Sequence, residues 1–249
     1  MRGSITVNRL TLAYDRHSAV QDVDGCFEAG SLTAVVGPNG AGKSTLVKSL
    51  VGILKPASGR ITRDGVAARD VAYLPQAAEV DRSFPITVAD TVTLGAWAST
   101  GALRGAGRDV ARSRDRALSA VGLDGFGGRG IGSLSAGQFQ RVLFARLLLQ
   151  DAPVVVLDEP FTAIDARTTR DLLDLVRRWH DERRTVIAVL HDFDQVRAHF
   201  PNTLLMARRQ IAWGATAEVL SPANLLAARA MAERWDDDRP TDLSARAST

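Results

Sequence analysis

Positions 37–45 of this 249-residue chain have the sequence GPNGAGKST, and this glycine-rich segment restricts the possible fold more than any other feature. It fits the pattern GxxxxGK followed by Ser or Thr. A short apolar run, Leu32 to Val36, precedes it, and apolar residues with helical spacing follow from Lys43. A strand, a tight turn and a helix in that order are the context that this pattern requires. The sequence therefore predicts a strand, loop and helix that bind an anionic polyphosphate.

The predicted chemistry of this loop comes mainly from its backbone. Glycine lets the chain curl so that successive N–H groups point inward, and the first turn of the helix adds a partial positive charge. Lys43 is expected to reach the β- and γ-phosphates, and Ser44 to bind Mg²⁺. A glycine-rich turn that only joins a strand to a helix is the alternative. The predicted nucleotide-binding residues of the loop are Gly37, Pro38, Asn39, Gly40, Ala41, Gly42, Lys43, Ser44 and Thr45.

A second motif, VVVLDEP at positions 154–160, places two carboxylates directly after a β-branched run. Asp158 is predicted to hold Mg²⁺ and its hydration shell, and Glu159 to face the γ-phosphate. A solvated loop or a helix N-cap is the alternative interpretation of such an acidic pair. Because the carboxyl ends of parallel strands meet at one edge of a sheet, the two motifs can share one crevice.

The order of apolar runs and helical patterns predicts an α/β fold with a mostly parallel sheet. Continuous β-branched runs are typical of strands that are buried on both faces. The predicted strands cover residues 4–12, 32–36, 154–157 and 185–190. Residues 77–146, rich in Ala, Arg, Leu and Gly, predict a helical insertion with a flexible stretch near 101–107. Residues 221–249 predict a tail that begins helical and frays from Trp235.

Composition excludes several classes of protein. The net charge is only +3 and the arginines are interleaved with Asp and Glu, so no nucleic-acid partner is expected. Cys26 is the only cysteine, which rules out an intramolecular disulfide and a thiolate zinc cluster and favours a reducing compartment. The first residues lack the apolar stretch of a signal peptide, and no apolar run reaches membrane-spanning length. The chain is therefore expected to span no membrane by itself.

A third motif, LSAGQ at positions 134–138, is followed by FQRVLFARLLLQDAPVVVLDEPFTAIDART. With these residues the chain resembles the ATP-binding subunits of ATP-binding-cassette (ABC) transporters, and Ala136 stands where the family's LSGGQ signature has its first glycine. The resemblance extends from Ile5 to about Leu220. It implies a P-loop NTPase cassette over residues 4–220, with a RecA-like core, an N-terminal antiparallel β subdomain and a helical subdomain inserted at about 77–146.

The resemblance implies that two copies of the chain act together. In a head-to-tail homodimer, Ser135, Gly137 and Gln138 of one subunit would cap the γ-phosphate held by the loop of the other. Asp165, in the segment TAID, would link the two ATP sites. This segment departs from the family's SALD at Thr162 and Ile164, which leaves the coupling between the sites open.

The resemblance also implies catalytic roles. Glu159 would polarise the attacking water, while Lys43 and Mg²⁺ neutralise developing charge on the phosphates. Gln76 would contact Mg²⁺ and the water, and His191 the γ-phosphate. Tyr14 would stack on the adenine ring. A strand-edge tyrosine, a loop glutamine and a surface histidine are the plainer interpretations of these last three residues.

The implied partners lie in a membrane. An ATPase subunit of this family would sit at the cytoplasmic face of the cell membrane and energise a separate permease. The surface that docks on the permease is expected around residues 76–94, with VDRSFPITVADTV (residues 80–92) as the candidate. Phe84, Pro85 and Val88 would bury against the permease or serve as ordinary loop and helix-start packing.

The phrases VAYLPQ, DRSFPITVADTV and DEPFTAIDARTT resemble the manganese, zinc and iron-chelate importer branch. A permease and a solute-binding protein would select the cargo, and the four histidines form no convincing metal cluster. The resemblance therefore predicts an ATPase for metal-ion import, zinc or manganese above others. A siderophore or cobalamin importer, an exporter and a soluble ABC ATPase are the alternatives. A P-loop kinase has no use for LSAGQ, and a non-hydrolysing cassette has no need of Glu159 and His191.

Overall fold

A computed structural model describes residues 3–14, 17–97 and 107–237, and the structural statements below refer to these ranges. Its strands are β1 (Ser4–Tyr14), β2 (His17–Phe27), β3 (Leu32–Val36), β4 (Ser58–Asp64), β5 (Val71–Leu74), β6 (Val154–Asp158), β7 (Thr185–Val189), β8 (Asn202–Met206) and β9 (Gln210–Ala215). β1 lies between β2 and β4 in a three-stranded antiparallel sheet. The other strands form a six-stranded sheet in the order β5-β6-β7-β3-β8-β9, in which only β9 is antiparallel to its neighbour.

Helices cover the larger sheet and fill the connections between its strands. They are α1 (Lys43–Leu50), α2 (Val88–Thr93), α3 (Arg108–Ala120), α4 (Ala136–Gln150), α5 (Ala166–Asp181), α6 (Phe193–His199), α7 (Thr216–Val219) and α8 (Pro222–Asp237). Single 3₁₀ turns occur at Ala68–Asp70, Ala77–Glu79, Leu94–Ala96 and Ile131–Ser133. None of the helices in the described ranges combines the length and apolar content needed to cross a bilayer.

The hydrophobic core has two halves, one on each face of the larger sheet. Every residue of β3, β6 and β7 is buried, which explains their continuous apolar sequences. Side chains alternate between the faces, so Val156 packs toward α1 and the small sheet while Leu157 packs toward α4 and α5. On the helical side the rings of Phe144 and Trp179 stack with centroids 5.8 Å apart. The mixed α/β cassette predicted from the sequence is confirmed by this architecture.

The segment between β5 and β6 contains α2, α3 and α4. Thr87 caps α2, because its side chain accepts a hydrogen bond from the Asp90 N–H. α4 continues past residue 146 to Gln150 and packs on the sheet. Of the residues expected on a docking surface, Phe84 and Pro85 are exposed, but Val88 is fully buried in the core. For Val88 the ordinary packing interpretation is therefore correct.

Several elements differ from the sequence-based expectations. Strand β2 is missing from the prediction because its pairing with β1 is irregular, with register shifts and a left-handed Asp22, so the alternation of apolar residues is lost. β8 and β9 are also missing, since they are short and β9 is only half-buried. The predicted flexible stretch at 101–107 falls almost wholly outside the described residues. Helix α8 extends to Asp237, beyond the predicted start of fraying, and the rest of the tail lies outside the described residues.

Candidate functional site

The phosphate loop (residues 37–42) joins the end of β3 to the start of α1. Gly37 has a φ of +152°, and a Cβ atom there would overlap the carbonyl oxygen of Met206. Gly42 has a φ of +87°, and its Cβ would lie 2.5 Å from the carbonyl oxygen of Ala19. Both positions therefore require glycine, because the backbone is left-handed and neighbouring chain lies too close for a side chain. The curled loop ends at the N-terminus of α1, and a helix N-terminus favours the binding of an anion.

Lys43 lies directly beneath this loop, with only 5% of its surface exposed. Its Nζ donates hydrogen bonds of 2.9 Å to the carbonyl oxygens of Gly37 and Pro38. Burial lowers the pKa of Lys43, and the carboxylates of Glu159 and Asp158 oppose that shift. A positive charge is thus held in the middle of the loop by carbonyl dipoles.

A chain of hydrogen bonds joins α1, the end of β6 and the loop after β5. The Ser44 hydroxyl donates to Asp158 Oδ1 at 3.0 Å. Gln76 Nε2 donates to Ser44 Oγ at 3.1 Å and to Glu159 Oε1 at 2.9 Å. Bonded residues that lie 32 to 114 positions apart in the sequence therefore meet at the carboxyl-terminal edge of the parallel strands.

Asp158 is completely buried, and within the described part of the chain its Oδ2 atom has no hydrogen-bond partner. Burial raises the pKa of Asp158 to about 6; the Ser44 hydroxyl opposes the shift and the Glu159 charge adds to it. The nearby Tyr73 hydroxyl is also buried, and burial together with the Asp158 charge raises the pKa of Tyr73. An orphaned carboxylate oxygen beside a hydroxyl and an amide is an oxygen donor set of the kind that Mg²⁺ prefers. The residues present therefore fit a magnesium ion.

Glu159 is held on both of its carboxylate oxygens. Oε1 accepts from Gln76 and lies 2.6 Å from Nε2 of His191, which follows β7. Oε2 accepts from the Thr162 hydroxyl at 3.3 Å. The backbone of Glu159 is left-handed, with a φ of +50°, which turns the side chain away from the strand direction. The carboxylate is consequently oriented by three side chains from three segments.

These residues border an open cleft of about 820 Å³. Tyr14 stands in its wall and is half exposed. Gly37, Pro38 and Asp158 lie behind the lining, where they contact Lys43 and Ser44. The predicted site residues that line the cleft are Tyr14, Asn39, Gly40, Ala41, Gly42, Lys43, Ser44, Thr45, Gln76, Glu159 and His191.

The signature residues do not line this cleft. Ser135 caps α4, since its hydroxyl accepts from the Gln138 N–H at 3.2 Å while the Ser135 N–H donates to Gln138 Oε1 at 3.0 Å. A Cβ on Gly137 would lie 3.6 Å from Asp165 Oδ2. Asp165 itself caps α5 by accepting from the Thr168 N–H. The starts of α4 and α5 thus form a second group of predicted site residues, apart from the cleft.

Two further residues bear on the site, although the sequence analysis did not single them out. Arg208, in the turn between β8 and β9, lines the cleft, and its Nε donates to the Gly40 carbonyl oxygen at 3.4 Å. Gln140 is buried and donates to the Pro160 carbonyl oxygen at 2.7 Å, which ties α4 to the loop after Glu159. A glutamine on the buried face of a helical pattern is the one hint that sequence analysis could have used.

Comparison with known proteins agrees with this geometry. The model of the ABC transporter family matches residues 20–162. The chain is 39% identical over 214 residues to the manganese transport system ATP-binding protein MntB of Listeria innocua, covering 84% of this chain and 89% of that protein. It is 42% identical over 217 residues to the zinc transport system ATP-binding protein TroB of Treponema pallidum, covering 85% and 81%.

Comparison with solved structures also matches the fold to an ABC transporter. A solved ABC transporter in an inward-facing conformation, assigned provisionally to the metal-chelate type, superimposes with a TM-score of 0.81 at 27% identity, covering 92% of this chain and 89% of that one. The fold is that of an ABC ATPase cassette. The chain belongs to the ABC transporter family, and the recognition made from its sequence motifs is confirmed.

Proposed function

We propose that this chain is the ATP-hydrolysing subunit of an importer that takes up manganese or zinc through a separate permease. The observation that carries the proposal is the hydrogen-bonded group of Ser44, Gln76 and Glu159 beside the phosphate loop. It combines a cradle for phosphate, oxygen donors for a metal ion and an oriented carboxylate in one cleft. These are the parts that phosphoryl transfer to water requires.

The cleft suits ATP. The inward N–H groups of the phosphate loop and the N-terminus of α1 would hold the phosphates, with Lys43 as the central positive charge. Arg208, which lies against the loop at Gly40, adds a guanidinium charge to the lining of the cleft. Half-exposed Tyr14 offers a ring face on which adenine would stack.

In the proposed reaction, Glu159 accepts a proton from the water that attacks the γ-phosphate. Gln76 and His191 both contact Oε1 of Glu159, so they keep this oxygen pointed toward the cleft. Ser44, Gln76 and Asp158 would hold Mg²⁺, which supplies positive charge to the phosphate oxygens when bound. Lys43 neutralises the same developing charge from beneath the loop.

We also propose a head-to-tail homodimer. The cleft is open to solvent, and Ser135, Gly137 and Gln138 lie elsewhere on the same chain. The Ser135 end of α4 is a helix N-terminus, which favours contact with an anion. The signature residues of a second copy would therefore close the cleft over the γ-phosphate.

The membrane partner is proposed from the exposed surface near Gln76. Phe84, Leu94 and Trp97 are large apolar side chains with 62%, 42% and 55% of their surface exposed. A single exposed apolar side chain is ordinary, but three of them within 14 residues of the chain favour a protein partner. The partner would be the permease, which places the subunit at the cytoplasmic face of the membrane. The names of MntB and TroB support manganese or zinc as cargo.

The experiment that tests this function is metal uptake by cells that lack the chain. Zinc, manganese and iron accumulation are compared under limitation of each metal, with wild type and Glu159→Gln as complementing genes. Loss of zinc or manganese uptake that only wild type restores is the expected result. Unchanged uptake of zinc and manganese would reject the cargo, and loss confined to iron would favour a chelate importer.

A further inference from the structure

Two segments that are remote in sequence lie side by side and are joined by backbone hydrogen bonds. One is the docking segment (residues 80–92), and the other is the lead-in segment (residues 127–134), which ends just before Ser135. The Val88 N–H donates to the Arg129 carbonyl oxygen at 2.8 Å, and the Ala89 N–H donates to that of Gly127 at 3.0 Å. The Ile131 N–H donates back to the Ile86 carbonyl oxygen at 3.1 Å. The two segments therefore form one backbone-bonded unit.

Arg82 adds a side-chain link at the end of this unit that is closer to the signature. Its guanidinium donates to the carbonyl oxygen of Leu134, the residue directly before Ser135, and to that of Ile131 at 3.4 Å. Its carbon Cζ lies 4.9 Å from the ring centroid of Phe139, one turn into α4. The side chain is partly buried, and its Nε atom is shielded from solvent.

We propose that Arg82 is a positioning residue, which sets the Ser135 end of α4 relative to the docking segment. A planar guanidinium can hold two carbonyl groups and stack on an aromatic ring at the same time. Through these contacts a displacement of the docking segment moves the signature residues with it. This inference rests on the proposed homodimer, because the Ser135 end acts only on a nucleotide held by the other copy.

The chain supplies a matched control in Arg129. This arginine lies in the lead-in segment, and its Cζ is 4.0 Å from the ring centroid of Phe126. Within the described contacts its side chain does not donate to the carbonyl groups of residues 131–134. Arg129→Ala thus removes an arginine and a ring contact from the same region. It leaves intact the hydrogen bonds from Arg82 that hold the Ser135 end of α4.

The test measures two properties of the full-length chain in a Glu159→Gln background. The affinity for MgADP measures nucleotide binding in the cleft of a single copy. The ATP concentration for half-maximal dimerisation, from light scattering, measures how well the signature residues of one copy engage the nucleotide of the other. Arg82→Ala is expected to raise that ATP concentration about tenfold, because it removes hydrogen bonds from a charged donor. The MgADP affinity should stay within about twofold. Arg82→Lys should restore part of the loss, and Arg129→Ala should match the parent.

Each contrary outcome has one meaning. Dimerisation of Arg82→Ala at the parent's ATP concentration would overturn the positioning role alone. An equal loss of MgADP affinity, or an equal loss in Arg129→Ala, would also overturn it, since either indicates general destabilisation. If Arg82→Ala fails to fold, Arg82→Lys carries the test. Its ammonium cannot hold both carbonyl groups in the guanidinium's planar arrangement, so dimerisation at the parent's ATP concentration would reject the role. A parent that stays monomeric with ATP would instead overturn the homodimer, and this inference with it.

Discussion

Gln76 donates a 2.9 Å hydrogen bond to Oε1 of Glu159, although the two residues are 83 positions apart. The same glutamine donates to Ser44, and the same carboxylate oxygen lies 2.6 Å from His191. The proposed base is therefore tied to the proposed metal ligand on one side and to the end of β7 on the other. Gln76 begins the connection that leads to the docking segment (residues 80–92). A movement of that segment would therefore shift Gln76 and change the orientation of Glu159.

Glu159→Gln should retain ATP binding and lose hydrolysis. The amide keeps the shape of the side chain but cannot accept the proton of the attacking water, and general-base catalysis contributes roughly 10²–10⁴-fold. Phosphate release by purified chain, with nucleotide affinity measured in parallel, checks this expectation. Turnover within a few fold of wild type would remove Glu159 from the role of base.

Lys43→Met should weaken nucleotide binding by about tenfold or more. It removes the positive charge beneath the phosphate loop and leaves the carbonyl groups of Gly37 and Pro38 without their donor. Lys48→Ala on the same helix is the control, because its ion pair with Glu79 is partly exposed and contributes little. Titration with MgATP distinguishes the two lysines; equal losses in both variants would speak against a special role for Lys43.

The contribution of Asp158 to the stability of the magnesium-free chain should fall as pH rises through the range between 3.8 and about 6. Asp158 has a raised pKa, so the folded chain binds its proton more tightly than the unfolded chain does, and ionisation opposes folding. Asp158→Asn should remove this contribution and stabilise the chain above pH 6 by about 3 kcal/mol. Urea unfolding at pH 4.5 and 7.5 measures the difference. A variant with the pH dependence of wild type would contradict the assignment to Asp158.

Gly37→Ala should lower the melting temperature more than Gly40→Ala. A methyl group at 37 would overlap the Met206 carbonyl oxygen, whereas no atom lies within 4 Å of one at 40. Both changes carry the cost of a left-handed backbone, about 1 kcal/mol, but only the first adds a steric clash with backbone. Thermal unfolding followed by circular dichroism provides the comparison. Equal shifts in melting temperature would mean that the backbone at Met206 moves aside without a cost in stability.

Phe84→Asp should abolish copurification with the permease while leaving the ATPase activity of the isolated chain intact. Phe84 is 62% exposed, so a charged side chain there stays in solvent and changes the stability of the fold little. Leu226→Asp on α8, at a residue that is 69% exposed, is the matched control and should copurify normally. Loss of the permease with both variants would indicate a general effect of surface charge rather than docking at residues 80–92.

Much of the fold follows from local patterns. The buried runs that became β3, β6 and β7 are continuous because both faces of a parallel strand are covered, so their sequence alone identifies them. Strand β2 escaped such analysis, because a bulged edge partner need not alternate. The signature also has a local explanation in part, since Ser135 and Gln138 form a capping box that any helix could use.

The sequence by itself determined the phosphate loop, the acidic pair after β6 and the family, because each depends on a few neighbouring residues whose backbone geometry is nearly independent of the rest. Only the tertiary structure decided which side chains meet. The hydrogen bond from Ser44 to Asp158, the approach of Arg208 to Gly40 and the hydrogen bond from Arg82 to the carbonyl group before Ser135 all join separate elements. Such contacts depend on how strands and helices pack, and that packing is a sum over the whole core that no short segment encodes.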